Sequence, residues 1–382
     1  MVAWGLVWAA LLAQPAPYDP TFVVEVHRGL VIGPARVVGM GGAYVSIAEG
    51  AGAMGLNPAA AAARAIYNAD QYFDWDWSLD GNTSLGDLDP ENNRLGQSNG
   101  HDAGLALAAL SFQLGTFGIG ATISGTTLRL DELDVVHSEL AISTGLNLLE
   151  GQLVFGAQLL LATTNIEIEQ QPAFAHLGVG VAVGGLAKPK GEPFSFGFYF
   201  RPRMELGSLN DVAAGALFGR VLAPPHFRVP AQVVVGMSYA LGDRAINRVA
   251  TLGSLPDGVD PEPLPVERER YVVSADVVYI EPSEQATGLE AWARGQLQPV
   301  QAVRPSIGFR LGIDSEPLPD RLQWRLGFYW EPTRFYRVSG RTHLTSGFDL
   351  RLFELVWMWR AGVAVDLSRE YSNLIFSFGF WR

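Results

Sequence analysis

The side chains able to do chemistry in this chain are few and show no catalytic pattern. The six histidines, His27, His101, His137, His176, His226 and His343, lack the His-Glu-x-x-His spacing that turns two imidazoles toward one metal ion. No Gly-x-Ser-x-Gly nucleophile elbow occurs, and with no cysteine there is neither a thiolate metal site nor a disulfide framework. The sequence therefore predicts no enzyme, no cofactor and no metal, with each histidine structural or loop-exposed. Arginine is the remaining candidate. Arg310, Arg325, Arg351 and Arg360 fall among Asp314, Glu331, Asp349 and Asp366, while lysine is rare (Lys188 and Lys190). The planar guanidinium suits bidentate carboxylate pairing. Two outcomes follow from that chemistry: a network of paired charges packing an interior, or an arginine that receives the carboxylate of a ligand.

The elements that carry these arginines have a period of two, the spacing that sends alternate side chains to opposite faces of a sheet. In the run from Leu322 to Glu331 one face is Leu322, Trp324, Leu326, Phe328 and Trp330, and the other is Gln323, Arg325, Gly327, Tyr329 and Glu331. The run from Phe194 to Arg201 alternates phenylalanine with Ser195, Gly197, Tyr199 and Arg201, and Ile307, Phe309, Leu311 and Ile313 alternate with Gly308, Arg310, Gly312 and Asp314. A strand apolar on one side and small or charged on the other fits a tilted membrane-spanning strand with an aqueous or packed lumen behind it. The arginines are then lumen residues.

Composition agrees with that class. The chain is 48% hydrophobic and only 17% charged, with 43 glycines and 11% aromatics in 382 residues. Past the extreme amino terminus no apolar run approaches the roughly 20 residues of a spanning helix. A net charge of −12 argues against nucleic acid, which wants clustered Lys and Arg. Residues 1–13 read as an export signal without the usual basic start.

About fourteen strands are expected between Ile66 and the carboxyl terminus, an even number as single-chain outer-membrane barrels favour. Placing the long connections outside gives external loops at 81–100, 207–227, 282–300 and 333–341, a short one at 168–172, and short returns at 113–114, 149–150, 187–192, 315–320 and 353–354. The segment 243–268, with four prolines between Pro256 and Pro265, reads as a long periplasmic turn, since such a run cannot sustain a central strand. The run from Leu374 to Trp381 has the aromatic alternation of a final barrel strand presented to the barrel-assembly machinery, although the chain ends on Arg382.

Ahead of the strands lies a glycine-dense segment, residues 33–60. Its glycines read plainly as backbone needing positive φ or close approach; a dinucleotide fingerprint would need glycine where Tyr44 stands. Arg36, Gly39, Met40, Gly41, Gly42 and Ala43, followed by Asn57, Pro58 and Ala59, resemble the amino-terminal hatch of the FadL-type long-chain fatty-acid transporters of bacterial outer membranes. Weaker local likeness follows in the same order at Val229-Pro230, at Val235 to Tyr239 and at Arg325 to Pro332. The resemblance implies an all-β transmembrane barrel of about 14 strands (66–382) with a plug (14–65) in its lumen. It further implies the outer membrane as location, membrane lipid and a hydrophobic ligand such as a fatty acid as partners, and passive uptake with lateral release. The wider superfamily includes barrels of the type IX secretion apparatus, so a non-transporting scaffold for another envelope protein stands beside transport. Transport expects a continuous apolar pocket touching the plug; a scaffold expects a sealed lumen packed by Arg, Asp and Glu pairs and a large external or periplasmic platform.

Overall fold

The structure, a computed structural model, describes residues 22–26, 29–63, 72–85, 89, 91–93, 103–130, 132–210, 212–241, 271–283, 286–295, 299–300, 306–335 and 338–380. The signal-like stretch 1–13, residues 14–21, His27, His101, the expected strand onset at 66–71 and the Pro-rich 243–268 lie outside these.

In chain order the strands are β1 (Val23–Glu25), β2 (Phe73–Ser84), β3 (Ala103–Leu114), β4 (Phe117–Leu130), β5 (Leu133–Leu148), β6 (Leu153–Ile168), β7 (Gln171–Ala187), β8 (Phe194–Arg201), β9 (Met204–Ser208), β10 (Leu217–Phe218), β11 (Val221–Leu222), β12 (His226–Val229), β13 (Gln232–Leu241), β14 (Tyr271–Ile280), β15 (Ala286–Gly288), β16 (Pro299–Val300), β17 (Ser306–Leu318), β18 (Leu322–Glu331), β19 (Arg341–Leu355), β20 (Trp357–Ser368) and β21 (Tyr371–Phe380). Fourteen of them close an antiparallel barrel. The ring runs β2 to β8, then β13, β14 and β17 to β21, and shuts where β21 pairs with β2, Phe378 opposite Leu79. Among the described residues no helix is long and apolar enough to cross a membrane.

Alternation sets the two faces. Phe198, Trp324, Phe328 and Phe309 point outward at 40%, 43%, 40% and 54% exposure, while Tyr199, Arg325 and Tyr329 point inward at 4%, 3% and 1%. A closed sheet has no unpaired edge and satisfies its backbone internally, which is what a hydrocarbon surround demands. The apolar belt makes this a transmembrane barrel of the outer-membrane type. Near the seam, Trp75 and Trp77 of β2 stack edge-on against Trp357, Trp359 and Phe380 at 4.9 to 5.9 Å, an aromatic cluster on the outer face.

β5, β6 and β7 are 16, 16 and 17 residues long. At about 3.4 Å per residue and a tilt near 40° such strands rise about 40 Å, against an apolar band about 25 Å tall. They stand above the membrane at the external end. There β9, β12, β1, β15 and β16 form a cap, with β1 parallel to both neighbours, Val24 opposite Phe227 on one side and Thr287 on the other.

Several details differ from the sequence reading: β2 carries through Ser84 into the expected loop 81–100, the return expected at 113–114 lies at 115–116, and the one expected at 315–320 shortens to 319–321 because β17 runs to Leu318. The expected strand 193–206 is two strands, because Pro202 supplies no N–H to the ladder. The ladder between β7 and this neighbour consequently skips residues 178–182, pairing at Val183 to Ala187 with β8 and resuming at His176 and Leu177 with β9. The run 228–242 is likewise divided at Pro230 into β12 and β13. The return placed at 353–354 lies at Val356, whose φ is 63°, because a bulge between Arg351 and Glu354 carries β19 two residues further.

Candidate functional site

Residues 29–63 lie within the ring and touch its whole inner wall. The short helix Ala35–Gly39 packs on β18 to β21, the 3-10 turn Ala51–Ala53 on β2 to β4, and the 3-10 turn Pro58–Ala62 on β3 to β7. Small residues make that fit possible. A Cβ on Gly39 would come within 3.2 Å of Gly347 Cα, and one on Gly41 within 2.8 Å of Phe328 N; Gly41 and Gly42 also take φ of +60° and +74°. Arg36 donates to Glu49 O at 2.8 Å and lies over the Tyr44 ring at 5.8 Å. Met40 is fully buried. Asn57 caps the second turn by accepting from Ala59 N at 3.1 Å, and its amide donates to Val45 O and to Gly185 O of the wall at 3.0 and 3.2 Å, with Pro58 stacked over Gly184.

This segment, the expected plug, is tied to the wall by side chains that accept its backbone N–H groups. Asp276 Oδ2 accepts from Tyr44 N and Val45 N at 2.9 and 3.0 Å, Asp76 Oδ2 from Ala51 N at 2.7 Å, and Ser377 Oγ from Ala35 N at 2.7 Å. None of these acceptors was singled out from sequence. The alternation of Asp74, Asp76 and Asp80 with Trp75, Trp77 and Leu79 held the signal for an acidic inner face.

The lumen is divided by chemistry. On β17 to β21 it is charged: Asp349 bridges Arg325 (2.7 Å) and Arg360 (3.1 Å), Arg360 also donates to Phe380 O (2.8 Å), and Arg325 lies 3.5 Å from Asp314. Nearer the external end, His343 sits between Asp366 (2.8 Å) and Glu331 (3.0 Å) and is stacked on Tyr329 at 4.1 Å, while Arg341 holds Glu331 and the Tyr329 hydroxyl donates to Asp366 (2.6 Å). The four candidate arginines are thus not equivalent. Arg325 and Arg360 are consumed by carboxylates, Arg351 lies at the opposite end of β19 against the exposed Glu354 (3.0 Å), and Arg310 donates weakly to Gly42 O (3.4 Å) beside Asp276.

On β4 to β8 the lumen carries an apolar cluster beside polar groups: Ser143, Gln158, Thr164 and Ser195 are buried there, and Arg201 of β8 lies 3.9 Å from Glu139 of β5. Leu128, Leu160, Ile166 and Phe174 of the wall, Phe22 and Val24 at the start of the described chain, Val45 of the plug and Phe227 and Trp292 of the cap form one buried cluster. Arg334 pairs with Glu25 of β1 and donates to Glu281 O at 2.9 Å, beside a cavity of about 10 Å³, room for about one water. In the short helix Leu289–Ala293, burial, reinforced by Asp89, holds the Glu290 carboxyl above its usual range despite Arg294 at 3.0 Å. Among the described residues no group of three or more His, Asp and Glu could hold a metal.

The architecture can be compared as a whole. A solved structure titled a CymD monoaromatic hydrocarbon channel superposes with a TM-score of 0.58 at 14% identity, covering 91% of this chain and 96% of that one. A Pseudomonas aeruginosa FadL homologue gives 0.57 at 13%, covering 92% and 99%. The chain has the FadL fold. The Pseudomonas putida toluene transporter TodX shares that fold, with a TM-score of 0.53 at 14% identity over 94% and 99%. No protein-family model matches the sequence, and no curated protein matches it significantly.

Proposed function

We propose that this protein is a channel of the bacterial outer membrane for passive uptake of hydrophobic small molecules, with long-chain fatty acids within its range. One observation carries the reading: the apolar sector runs without interruption from the cap to Val45 of the plug, along the same wall whose ladder skips residues 178–182. A solute that sheds water into that sector gains roughly 0.8 kcal/mol per buried methylene. Val179 and Val181 on the outer side of the skipped segment are 63% and 54% exposed, and a Cβ on Gly180 inside would come 2.8 Å from Met204 Sδ. Glycine faces the interior at 178 and 180, with Leu206 and Met204 of β9 packed behind it, so lateral release into the membrane fits this wall. Side chains fill the apolar sector, and passage requires the plug or cap to shift.

For an acidic solute the head group would go to Arg310, which has no carboxylate at ion-pair distance among the described residues, in contrast to Arg325 and Arg360. The charge pairs of β17 to β20 are what a scaffold barrel would show; across the lumen the apolar cluster is accompanied by a looser pair, Arg201 of β8 and Glu139 of β5 at 3.9 Å. Proteoliposomes carrying the purified chain should take up a long-chain fatty acid and a neutral hydrocarbon faster than empty liposomes, with Arg310→Gln slowing only the acid. Rates equal to empty liposomes for both solutes would move the assignment to the scaffold.

A further inference from the structure

We propose that the cap holds a binding site for phenols, centred on His176. Phe174 and His176 of β7, Phe227 of β12, Phe218 of β10 and Trp292 form a box of rings. Their centroids lie 4.9 Å (His176 and Phe227), 5.2 Å (Phe174 and Phe218), 5.5 Å (Phe227 and Trp292) and 5.9 Å (Phe174 and His176) apart. Phe174, His176, Phe227 and Trp292 are 3%, 1%, 0% and 0% exposed. The box is apolar but for the imidazole. Trp292 Nε1 is satisfied, donating to Leu222 O at 2.8 Å.

The imidazole is only half satisfied. His176 Nε2 lies 3.1 Å from Pro224 O; a carbonyl oxygen has no proton to give, so Nε2 carries the hydrogen and donates. No carboxylate pairs with His176 among the described residues, and in apolar surroundings the ring stays neutral. Nδ1 therefore presents a lone pair, and it is buried without any hydrogen-bond partner. An acceptor enclosed by aromatic rings selects a ligand with a flat apolar body and one donor, which is the description of a phenol. A hydrocarbon ring would fill the same box and leave Nδ1 unpaired.

Entry is provided by the cover. β10 and β11 pair only with each other, as a sheet separate from the barrel, and Phe218 is half-buried, tilted at 53° over Phe174. The hairpin itself is held by Trp292 Nε1 on Leu222 O and by Arg220 on Ala293 O and Leu130 O, both at 2.9 Å, so a ligand ring takes the place of Phe218 when that side chain alone swings out. The proposal shares with the channel reading only the premise that solutes arrive at the external end.

The test is a ¹⁹F NMR titration of the whole protein in lipid nanodiscs with 4-fluorophenol and 4-fluorotoluene, a pair of similar shape differing in the hydroxyl. Partition into lipid is common to all variants and cancels. His176→Gln keeps a donor for Pro224 O and deletes the Nδ1 acceptor. It should weaken 4-fluorophenol roughly five- to tenfold, the worth of one hydrogen bond, and leave 4-fluorotoluene within about twofold. Phe218→Ala should tighten both ligands. Equal changes for both ligands in His176→Gln, or wild-type binding no greater than to empty nanodiscs, overturn the site. Should His176→Gln not fold, ¹⁵N-histidine spectra of the wild type decide: the Nδ1 resonance of His176 must shift with 4-fluorophenol and not with 4-fluorotoluene, and an unmoved resonance overturns it too. Phenol binding without solute uptake in proteoliposomes would remove the channel reading and leave this site standing; uptake with an unchanged phenol preference would do the reverse.

Discussion

Asp276 should be the strongest single tie between plug and wall, and its loss can be read directly. One carboxylate oxygen accepts both Tyr44 N and Val45 N, and cross-strand Gly236 leaves room for the other. Asp276→Ala strands two buried N–H groups, each costing about 1–3 kcal/mol, so the plug should lose about 2–6 kcal/mol of its hold. The lower figure already raises the displaced population roughly thirtyfold, since a hydrogen-bond loss of that size exceeds one decade per 1.4 kcal/mol. The chain has no cysteine, so one introduced as Ala48→Cys, at a fully buried plug position, reports displacement through its rate of modification by a water-soluble maleimide. Asp276→Asn retains an acceptor and should give a smaller rise. If Asp276→Ala changes the rate by less than about threefold, the latch carries no weight. If Asn and Ala rise equally, the charge beside Arg310 is the cause and not the two hydrogen bonds.

On the lipid face, Phe198→Arg should cost roughly 2–4 kcal/mol at mid-bilayer and lower the yield of heat-modifiable, folded barrel in lipid; an unchanged yield would refute the assigned outer face. Deleting residues 30–62 should leave an inserted barrel with larger single-channel conductance and faster entry of hydrophobic solutes, and wild-type conductance from an inserted deletion would defeat the plug assignment. The buried Glu290 has a folded-state pKa above its ordinary value, so its neutral form suits the cap; the stability it contributes is present below the unfolded pKa and fades as pH rises through the folded one. Hydrogen exchange at residues 286–293 should accordingly quicken from pH 5 to pH 8 beyond the intrinsic base-catalysed increase, and Glu290→Gln should abolish that excess.

The barrel was legible because its signal is local. Each strand states its own period, and Trp324, Phe328 and Phe198 could be placed outside without knowing any neighbour. The arginines show where such reading stops: alternation put Arg310, Arg325, Arg351 and Arg360 on one face, but only the register decides that Asp349 takes Arg325 and Arg360 and leaves Arg310 with a carbonyl. The cap was not legible, since β1, β12 and β15 are three to four residues long and gain their order from pairing across more than 200 positions. Pro202 was visible and its consequence was not, because a proline marks a lost donor and the ladder must be seen to know which neighbour loses a partner. His176 gave no signal at all; its meaning comes from the carbonyl of Pro224 and the rings of Phe227 and Phe174.

The case for a channel over a sealed scaffold rests on where three independent features coincide. A barrel that needed only closure could fill its lumen with charge pairs all round, as β17 to β20 do through Asp349, Glu331 and Asp366. The opposite sector, although it holds Arg201 and Glu139 at 3.9 Å, is lined largely by Leu128, Leu160, Ile166 and Phe174. That sector is also where strands β5 to β7 rise past the bilayer, extending the apolar wall to the cap. It is also where Pro202 breaks the ladder and glycine faces the interior at 178 and 180. Stability alone explains the charge pairs and the packing, but it gives no reason for the longest strands, the apolar lining and the weakest stretch of wall to share one side. A path for apolar solutes from the external end, past the plug at Val45, to the lipid beside β7 requires all three together.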